Sequence, residues 1–219
     1  MHRRLREPVN GLTHLAAAVA AAVGLMILIY IARHNPTKLV SLSIYGLSLA
    51  LMFSASTAYH LLNVGPRISL LLRKLDHSSI YLLIAGTYTP ICLHYFTGVW
   101  RWAPLAVIWS LAVIGIAVKF FIIKAPRWLT AGVYLLMGWL ALVAGKQVLA
   151  SIPAGALVWL LFGGLFFTWG AIVYILKKPD PLPGVFGFHE VWHIFVILGA
   201  FSHFVIMVAF IAPTGAGPR

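Results

Sequence analysis

The sequence predicts an all-α integral membrane protein, a bundle of seven transmembrane helices. Of its 219 residues 62% are hydrophobic and only 9% are charged, whereas soluble domains carry about 25% charged residues. Seven continuous apolar runs each approach the roughly 20 residues that cross a hydrocarbon core of about 30 Å. The runs lack the period-2 alternation of a membrane β-barrel, so strands are excluded.

Each run begins after residues that favour a turn or a helix start. The predicted spans are residues 12–32, 39–62, 77–96, 102–122, 128–149, 156–176 and 188–211. The breakers between successive spans are Asn35-Pro36, Gly65-Pro66, Thr97-Gly98, Ala125-Pro126, residues 151–155 and residues 179–184. Nothing is left over for a soluble domain, so residues 1–219 are predicted to form a single membrane domain.

The first run has one competing interpretation, because Arg3, Arg4 and Arg6 followed by alanine-rich apolar sequence also resemble a signal peptide. The apolar region of a signal peptide is typically about 7 to 15 residues long and ends at a small-residue cleavage site. This run is longer and ends in residues 30–34, which include an arginine and a histidine. A transmembrane span is therefore the favoured interpretation.

The basic residues predict the orientation of the chain. A net charge of +12 would suggest nucleic acid as a partner of a soluble protein, but here the cations lie at the ends of spans, so no nucleic-acid partner is expected. One side carries eleven: Arg3, Arg4, Arg6, Arg67, Arg73, Lys74, Lys119, Lys124, Arg127, Lys177 and Lys178. The other side carries five: Arg33, Lys38, Arg101, Lys146 and Arg219. The positive-inside bias places the N-terminus in the cytoplasm and, with seven spans, the C-terminus outside the plasma or inner membrane.

Four ionisable side chains lie at span ends on the predicted cytoplasmic side: His60, Asp76, His189 and His193. An ionisable group costs roughly 2.5 to 3.5 kcal/mol near mid-membrane and less toward the interface, so such groups need a compensating partner. A bound cation is the simplest partner. The sequence therefore predicts a metal site in this layer of the membrane.

Spacing sharpens this prediction. His189 and His193 are four residues apart, so they share one face of a helix and can converge on one ion. With His60 they would supply three imidazole ligands and leave a position open, the arrangement typical of catalytic zinc. Three imidazoles also accept other first-row divalent ions, and zinc is favoured by the open tetrahedral site.

Two neighbours are candidate catalytic residues. Asp76 could orient a ligand imidazole or act as general base toward a metal-associated water, and we favour the second role. Ser56 lies one turn before His60 on the same helix face. It could donate a hydrogen bond to a substrate carbonyl or to that water, with a bond to its own helix backbone as the structural alternative.

Three further polar residues are expected to lie away from the metal. Glu190 is offset by about 100° from His189 on the helix and is predicted to face the surface. His203 lies about 21 Å along the helix from His189, which is too far to share the ion. His94 lies near a predicted interface and is expected to be solvated.

Four motifs in order resemble the hemolysin III family, the bacterial branch of the progestin and adipoQ receptor superfamily. They are residues 7–14, 56–60, 75–90 and 188–193. The resemblance covers essentially the whole chain. It implies zinc bound near the cytoplasmic face by His60, His189 and His193, with Asp76 in contact with zinc through water. It also implies relatives among alkaline ceramidases and adiponectin receptors.

The leading functional hypothesis is hydrolysis of a lipid amide or ester, because zinc on neutral imidazoles activates water near neutral pH. A receptor or sensor with a structural zinc is the first alternative. A channel or transporter is the second, for which Glu7, Asn10 and His14, spaced to share one face, and His203 near the far side are the only hints. The sequence shows no pattern that indicates the oligomeric state or the identity of the lipid.

Overall fold

The computed structural model describes residues 5–122 and 125–213, and within them the chain is helical. Two residues, Leu182 and Phe186, form an isolated antiparallel bridge in the loop before the last helix. The helices are α1 (Pro8–Ala32), α2 (Pro36–Leu61), α3 (Pro66–Tyr95), α4 (Gly98–Phe121), α5 (Arg127–Ser151), α6 (Ala154–Leu176) and α7 (Phe188–Ile211). For every helix except α3, both ends fall within four residues of the predicted span.

Helix α3 begins well before the predicted third span. The span was predicted to start at His77, where the apolar run begins, whereas the helix begins at Pro66. Proline is favoured in the first turn of a helix because its φ angle is already helical and it has no N–H to satisfy. The intervening residues are amphipathic and include Arg67, Arg73 and Lys74, and charged residues of this kind are good helix formers.

In the described part of the chain, the six helices other than α3 are long and apolar enough to cross a membrane. Two of them change their backbone hydrogen bonding along their length. α5 is a 3₁₀ helix over Trp139–Ala144 between two α-helical parts. α7 ends in a single π-helical stretch, Met207–Ile211. Short stretches of 3₁₀ and π helix are often found at functional or strained positions.

Most helices pack on their neighbours in the chain, and the first and last helices also contact each other. α1 packs on α2, α2 on α3, α3 on α4 and α6 on α7, while α1 also contacts α7. Glycines allow close approach: a Cβ at Gly86 of α3 would overlap the Ser48 side chain of α2. This arrangement brings the start of α1, the end of α2 and the start of α7 to one end of the bundle, the histidine end.

Candidate metal site

Three histidines from two helices meet at the histidine end. His60 lies in the last turn of α2, and His189 and His193 lie in the first two turns of α7. Their candidate ligand atoms all lie within 4.8 Å of one another, and this group could hold a metal ion. The ring centroids are 4.8 to 5.2 Å apart. His60 and His193 are each only 1% exposed.

The nitrogens of these rings fit a metal ligand set. Three ring nitrogens are buried and make no hydrogen bond of ordinary geometry among the described residues. They are Nδ1 and Nε2 of His193 and Nε2 of His189. An unsatisfied buried polar atom costs about 1 to 3 kcal/mol, so a structure rarely retains several in one place without a partner. Neutral imidazole nitrogens are preferred zinc ligands. The donor set therefore suits zinc.

Glu7 orients the third ring. Nδ1 of His60 donates a hydrogen bond to Oε2 of Glu7 at 2.6 Å, and the backbone N–H of Glu7 donates to the His60 carbonyl at 2.9 Å. The hydrogen bond from His60 lowers the pKa of the Glu7 carboxyl, against the raising effect of burial. With its proton on Nδ1, His60 presents Nε2 as a ligand, the usual arrangement of a carboxylate behind a metal-binding histidine.

The sequence did not predict this role of Glu7. Asp76 was the only carboxylate expected to orient a ligand. The available signal was positional, because Glu7 precedes the first span on the cytoplasmic side, where His60 was also predicted. Local spacing could not indicate that Glu7 pairs with His60, because the two residues are 53 positions apart in the sequence.

Glu190 was predicted to face the surface, and that prediction was wrong. Its Oε2 accepts a hydrogen bond from the backbone N–H of Gly187 at 2.8 Å, so the side chain turns back to cap the start of α7. Its Oε1 accepts from Nδ2 of Asn10 at 2.7 Å. Asn10 and Glu190 thus join α1 to α7 beside the histidines.

His14 forms a layer beneath the histidine group. Its ring stacks on His193 with centroids 3.7 Å apart and an interplanar angle of 16°. Its Nδ1 is 2.8 Å from Oγ of Ser56. The partner of Ser56 is therefore His14, which neither expected role for this serine had named. The sequence features that suggested a channel or transporter were Glu7, Asn10 and His14. In the structure, Glu7 contacts His60, Asn10 contacts Glu190, and His14 contacts His193.

Asp76 is buried but lies outside the group of close ligand atoms. Its Oδ2 is 3.3 Å from Nδ1 of His77, so His77 is a direct neighbour of the carboxylate. Asp76 and Ser56 both line the cavity described below, which places them where a bound molecule would be.

A cavity of about 760 Å³ extends through the bundle from the histidine end. Its walls are almost entirely apolar, and its polar lining at the histidine end includes His14, Ser56 and Asp76. Lining residues of α3 extend from Asp76 to the C-cap residue Phe96, a distance of about 30 Å at 1.5 Å per residue. His60, His189 and His193 are not among the lining residues, but His14, which stacks on His193, is one of them.

Two other histidines lie away from the histidine group, and each has one buried nitrogen, Nδ1 of His94 and Nε2 of His203, without a hydrogen bond among the described residues. His94 was expected to be solvated, but it is 5% exposed and its Nε2 is 3.2 Å from Oγ of Ser41. That expectation was wrong because α3 packs its last turns against α2. His203 lies apart from the histidine group, as predicted, and its ring packs 5.5 Å from that of Phe167.

Comparison with known proteins places the chain among membrane proteins. A family model described as Haemolysin-III related matches residues 2–204. The chain is 37% identical to Hemolysin-3 of Bacillus cereus over 214 residues, which cover 96% of this chain and 94% of that protein. It is 36% identical to a Hemolysin-3 homolog of Bacillus subtilis (strain 168) over 200 residues, 90% and 91% of the two chains.

A more distant similarity links it to the Adiponectin receptor protein of Drosophila melanogaster, at 30% identity over 168 residues, 68% of this chain and 37% of the receptor. The resemblance carried by the four motifs is thus confirmed. With six helices able to cross a bilayer, the chain is an integral membrane protein that crosses the membrane several times.

Proposed function

The chain belongs to the haemolysin III family, and on that premise we propose that it is a zinc-dependent hydrolase of a lipid amide or ester, comparable to a ceramidase. The site would lie at the cytoplasmic side of the plasma or inner membrane, as the distribution of basic residues favours. The observation that carries the proposal is the position of the buried histidine group beside one end of a long apolar cavity.

His60, His189 and His193 would hold the ion, and Glu7 would keep His60 in the tautomer that presents Nε2. Bound zinc supplies Lewis acidity and activates water at neutral pH. The layer of His14 on His193 keeps the ligand ring in one orientation.

Asp76 would accept the proton of an attacking water, because it is the one acidic residue that lines the cavity in the described part of the chain. Ser56 also lines the cavity, where its one hydroxyl hydrogen would be donated to a carbonyl oxygen while the Nδ1–H of His14 donates to its Oγ. General bases act through hydrogen bonds of about 2.6 to 3.2 Å, directly or through one water.

A lipid substrate suits the shape and polarity of the cavity. Apolar walls about 30 Å long would take an acyl chain and exclude bulk water, and the polar groups at the histidine end would meet the head of the molecule. Exclusion of water strengthens the interaction of Asp76 and Ser56 with a reacting carbonyl, since the local dielectric is low.

The test is release of fatty acid from lipid amides and esters by purified protein, with metal content measured on the same sample. We expect bound zinc, activity that is lost on chelation, and at least a hundredfold loss of rate in His193→Ala. His34→Ala is the matched control, because His34 is exposed at the other end of the bundle. Equal activity in His193→Ala and the wild type would refute the proposal.

A receptor with a structural zinc is the second candidate, and the similarity to an adiponectin receptor protein favours it. In this case zinc would tie α2 to α7 without turnover. Bound zinc and bound lipid in the absence of any hydrolysis, with loss of stability on chelation, would select this function over the first.

A further inference from the structure

Three cations from three helices lie at the histidine end of the cavity: Arg73 of α3, Lys119 of α4 and Arg127 of α5. We call them the cationic cluster. Arg73 lies next to Lys74, whose Nζ is 5.7 Å from the ring centroid of Phe120, the neighbour of Lys119 in α4. Arg127 lies over the ring of Tyr174, 5.1 Å from its centroid. The three cations therefore surround one region of the bundle.

Lys119 differs from an ordinary basic residue at a membrane boundary. Such lysines extend their ammonium group to water while the stem stays on apolar surface. Lys119 is 3% exposed, and its Nζ donates a hydrogen bond to Oγ1 of Thr130 at 2.8 Å. An ammonium group has three donors, so one neutral hydroxyl leaves most of its capacity and all of its charge uncompensated.

Arg127 shows the same imbalance. Its Nη1 is buried and makes no hydrogen bond among the described residues. Its guanidinium instead packs over the rings of Tyr174 and Phe188, at 5.1 and 5.2 Å from their centroids. Aromatic faces hold a guanidinium in place but leave its N–H donors free for an oxyanion.

In the described part of the chain, no acidic side chain forms an ion pair with these cations. The protein contains four acidic residues, all in the described part of the chain, and none lies within 4.0 Å of a nitrogen of the cluster. Glu7 contacts His60, Asp76 contacts His77, Glu190 contacts Asn10 and Gly187, and Asp180 is exposed. A bound anion would therefore compensate charge that no acidic side chain of the protein compensates.

The cluster adjoins the cavity. Thr130, the partner of Lys119, and Tyr174, the ring beneath Arg127, both line the cavity, as does Asp76. An anion held by the cluster would thus lie at the same end of the cavity as Asp76, and an acyl chain attached to it could extend along the apolar walls. Arginine and lysine together are the usual ligands of phosphate groups.

We propose that the cationic cluster binds the phosphate group of an anionic lipid whose acyl chain occupies the cavity. This refines the substrate class of the proposed hydrolase and rests on it for the fate of the lipid, but the binding itself does not require turnover. A phosphate-bearing head group would compensate Lys119 and Arg127 and would hold the acyl linkage near Asp76.

The test is binding of three probes to purified protein in a neutral detergent: a monoacylglycerol phosphate, the monoacylglycerol of the same chain length, and inorganic phosphate. Binding is measured by native mass spectrometry and by the ligand-dependent shift of the melting temperature. We expect the phosphorylated lipid to bind at least tenfold more tightly than its neutral counterpart. Inorganic phosphate should compete weakly, since it lacks the chain; equal affinity for phosphate and lipid phosphate would support the anion site and assign it to free phosphate.

The variants are Lys119→Met, Arg127→Gln and Arg73→Gln, with Lys178→Gln as the control, because Lys178 is an exposed cation at the same end. Each cluster variant should reduce the preference for the phosphorylated lipid about tenfold, whereas Lys178→Gln should retain it. Lys119→Met removes the charge with little change in shape. This variant therefore still tests the proposal if Arg127→Gln folds poorly. Equal binding of the charged and neutral lipids, or an equal loss in Lys178→Gln, would overturn the proposal. Because binding is the readout, absence of hydrolysis would count against the proposed function alone.

Discussion

Glu7 and His60 form the shortest polar contact at the histidine end among those described above, with Oε2 of Glu7 2.6 Å from Nδ1 of His60. A second bond, from the Glu7 backbone N–H to the His60 carbonyl, joins the same two residues at 2.9 Å. The pair therefore couples the residue that precedes α1 to the last turn of α2. A carboxylate in this position raises the basicity of the ring and fixes its orientation toward a metal.

Glu7→Gln should weaken zinc binding by about 10 to 100-fold, the usual effect of removing a partner of a metal-binding histidine. The amide can still contact Nδ1 but lacks the charge that favours the Nδ1–H tautomer. Zinc affinity is measured by competition with a chromophoric chelator. Asp180→Asn, which removes an exposed carboxylate in the loop before α7, should leave the affinity unchanged. An unaltered affinity in Glu7→Gln would show that Glu7 does not support the metal site.

Removal of the metal should lower thermal stability. Zinc that binds only the folded protein stabilises it by about 2.7 kcal/mol at 100 times its dissociation constant, and its loss would leave one ligand nitrogen of each of His189 and His193 buried without a partner. We expect a chelator to lower the melting temperature by several degrees and added zinc, but not magnesium, to restore it. His60→Ala should melt at the same temperature with and without chelator. A chelator-sensitive His60→Ala protein would place the metal elsewhere.

Ser56→Ala should destabilise the protein by about 1 to 3 kcal/mol, because Nδ1 of His14 would remain buried without its partner. Thr57→Ala is the control, since Oγ1 of Thr57 contacts only its own helix, at the Phe53 carbonyl. Chemical or thermal unfolding in detergent provides the measurement. In a double-mutant cycle, the loss of stability caused by Ser56→Ala should be smaller in the His14→Phe background than in the wild type. Additive effects would show that the two side chains do not interact.

Gly86→Val should disturb the contact between α3 and α2, because its Cβ would overlap Ser48. Overpacking of this kind typically costs about 1 to 3 kcal/mol. Gly132→Val of α5 is the matched control, since nothing lies within 4 Å of a Cβ at Gly132. The difference in melting temperature between the two variants checks the prediction, and equal melting temperatures would contradict the close approach of α2 and α3.

Local sequence was sufficient to predict the helices. Hydropathy and chain breakers act over about 20 residues, so six spans were located to within four residues at each end. Hydropathy did not indicate that α3 begins at Pro66, because basic residues interrupt its first turns and no continuous apolar run marks its start. The spacing of His189 and His193 is also local, and it correctly predicted that both rings share a face.

Contacts between distant segments were decided by tertiary structure alone. Helix rotation about its own axis determines whether a side chain meets lipid or a neighbouring helix, and that rotation depends on the packing of all seven helices at once. It turned Glu190 toward Asn10, buried His94 against Ser41 and placed Lys119 against Thr130. The sequence by itself therefore determined which residues reach the histidine end, whereas the packed bundle decided which of them touch.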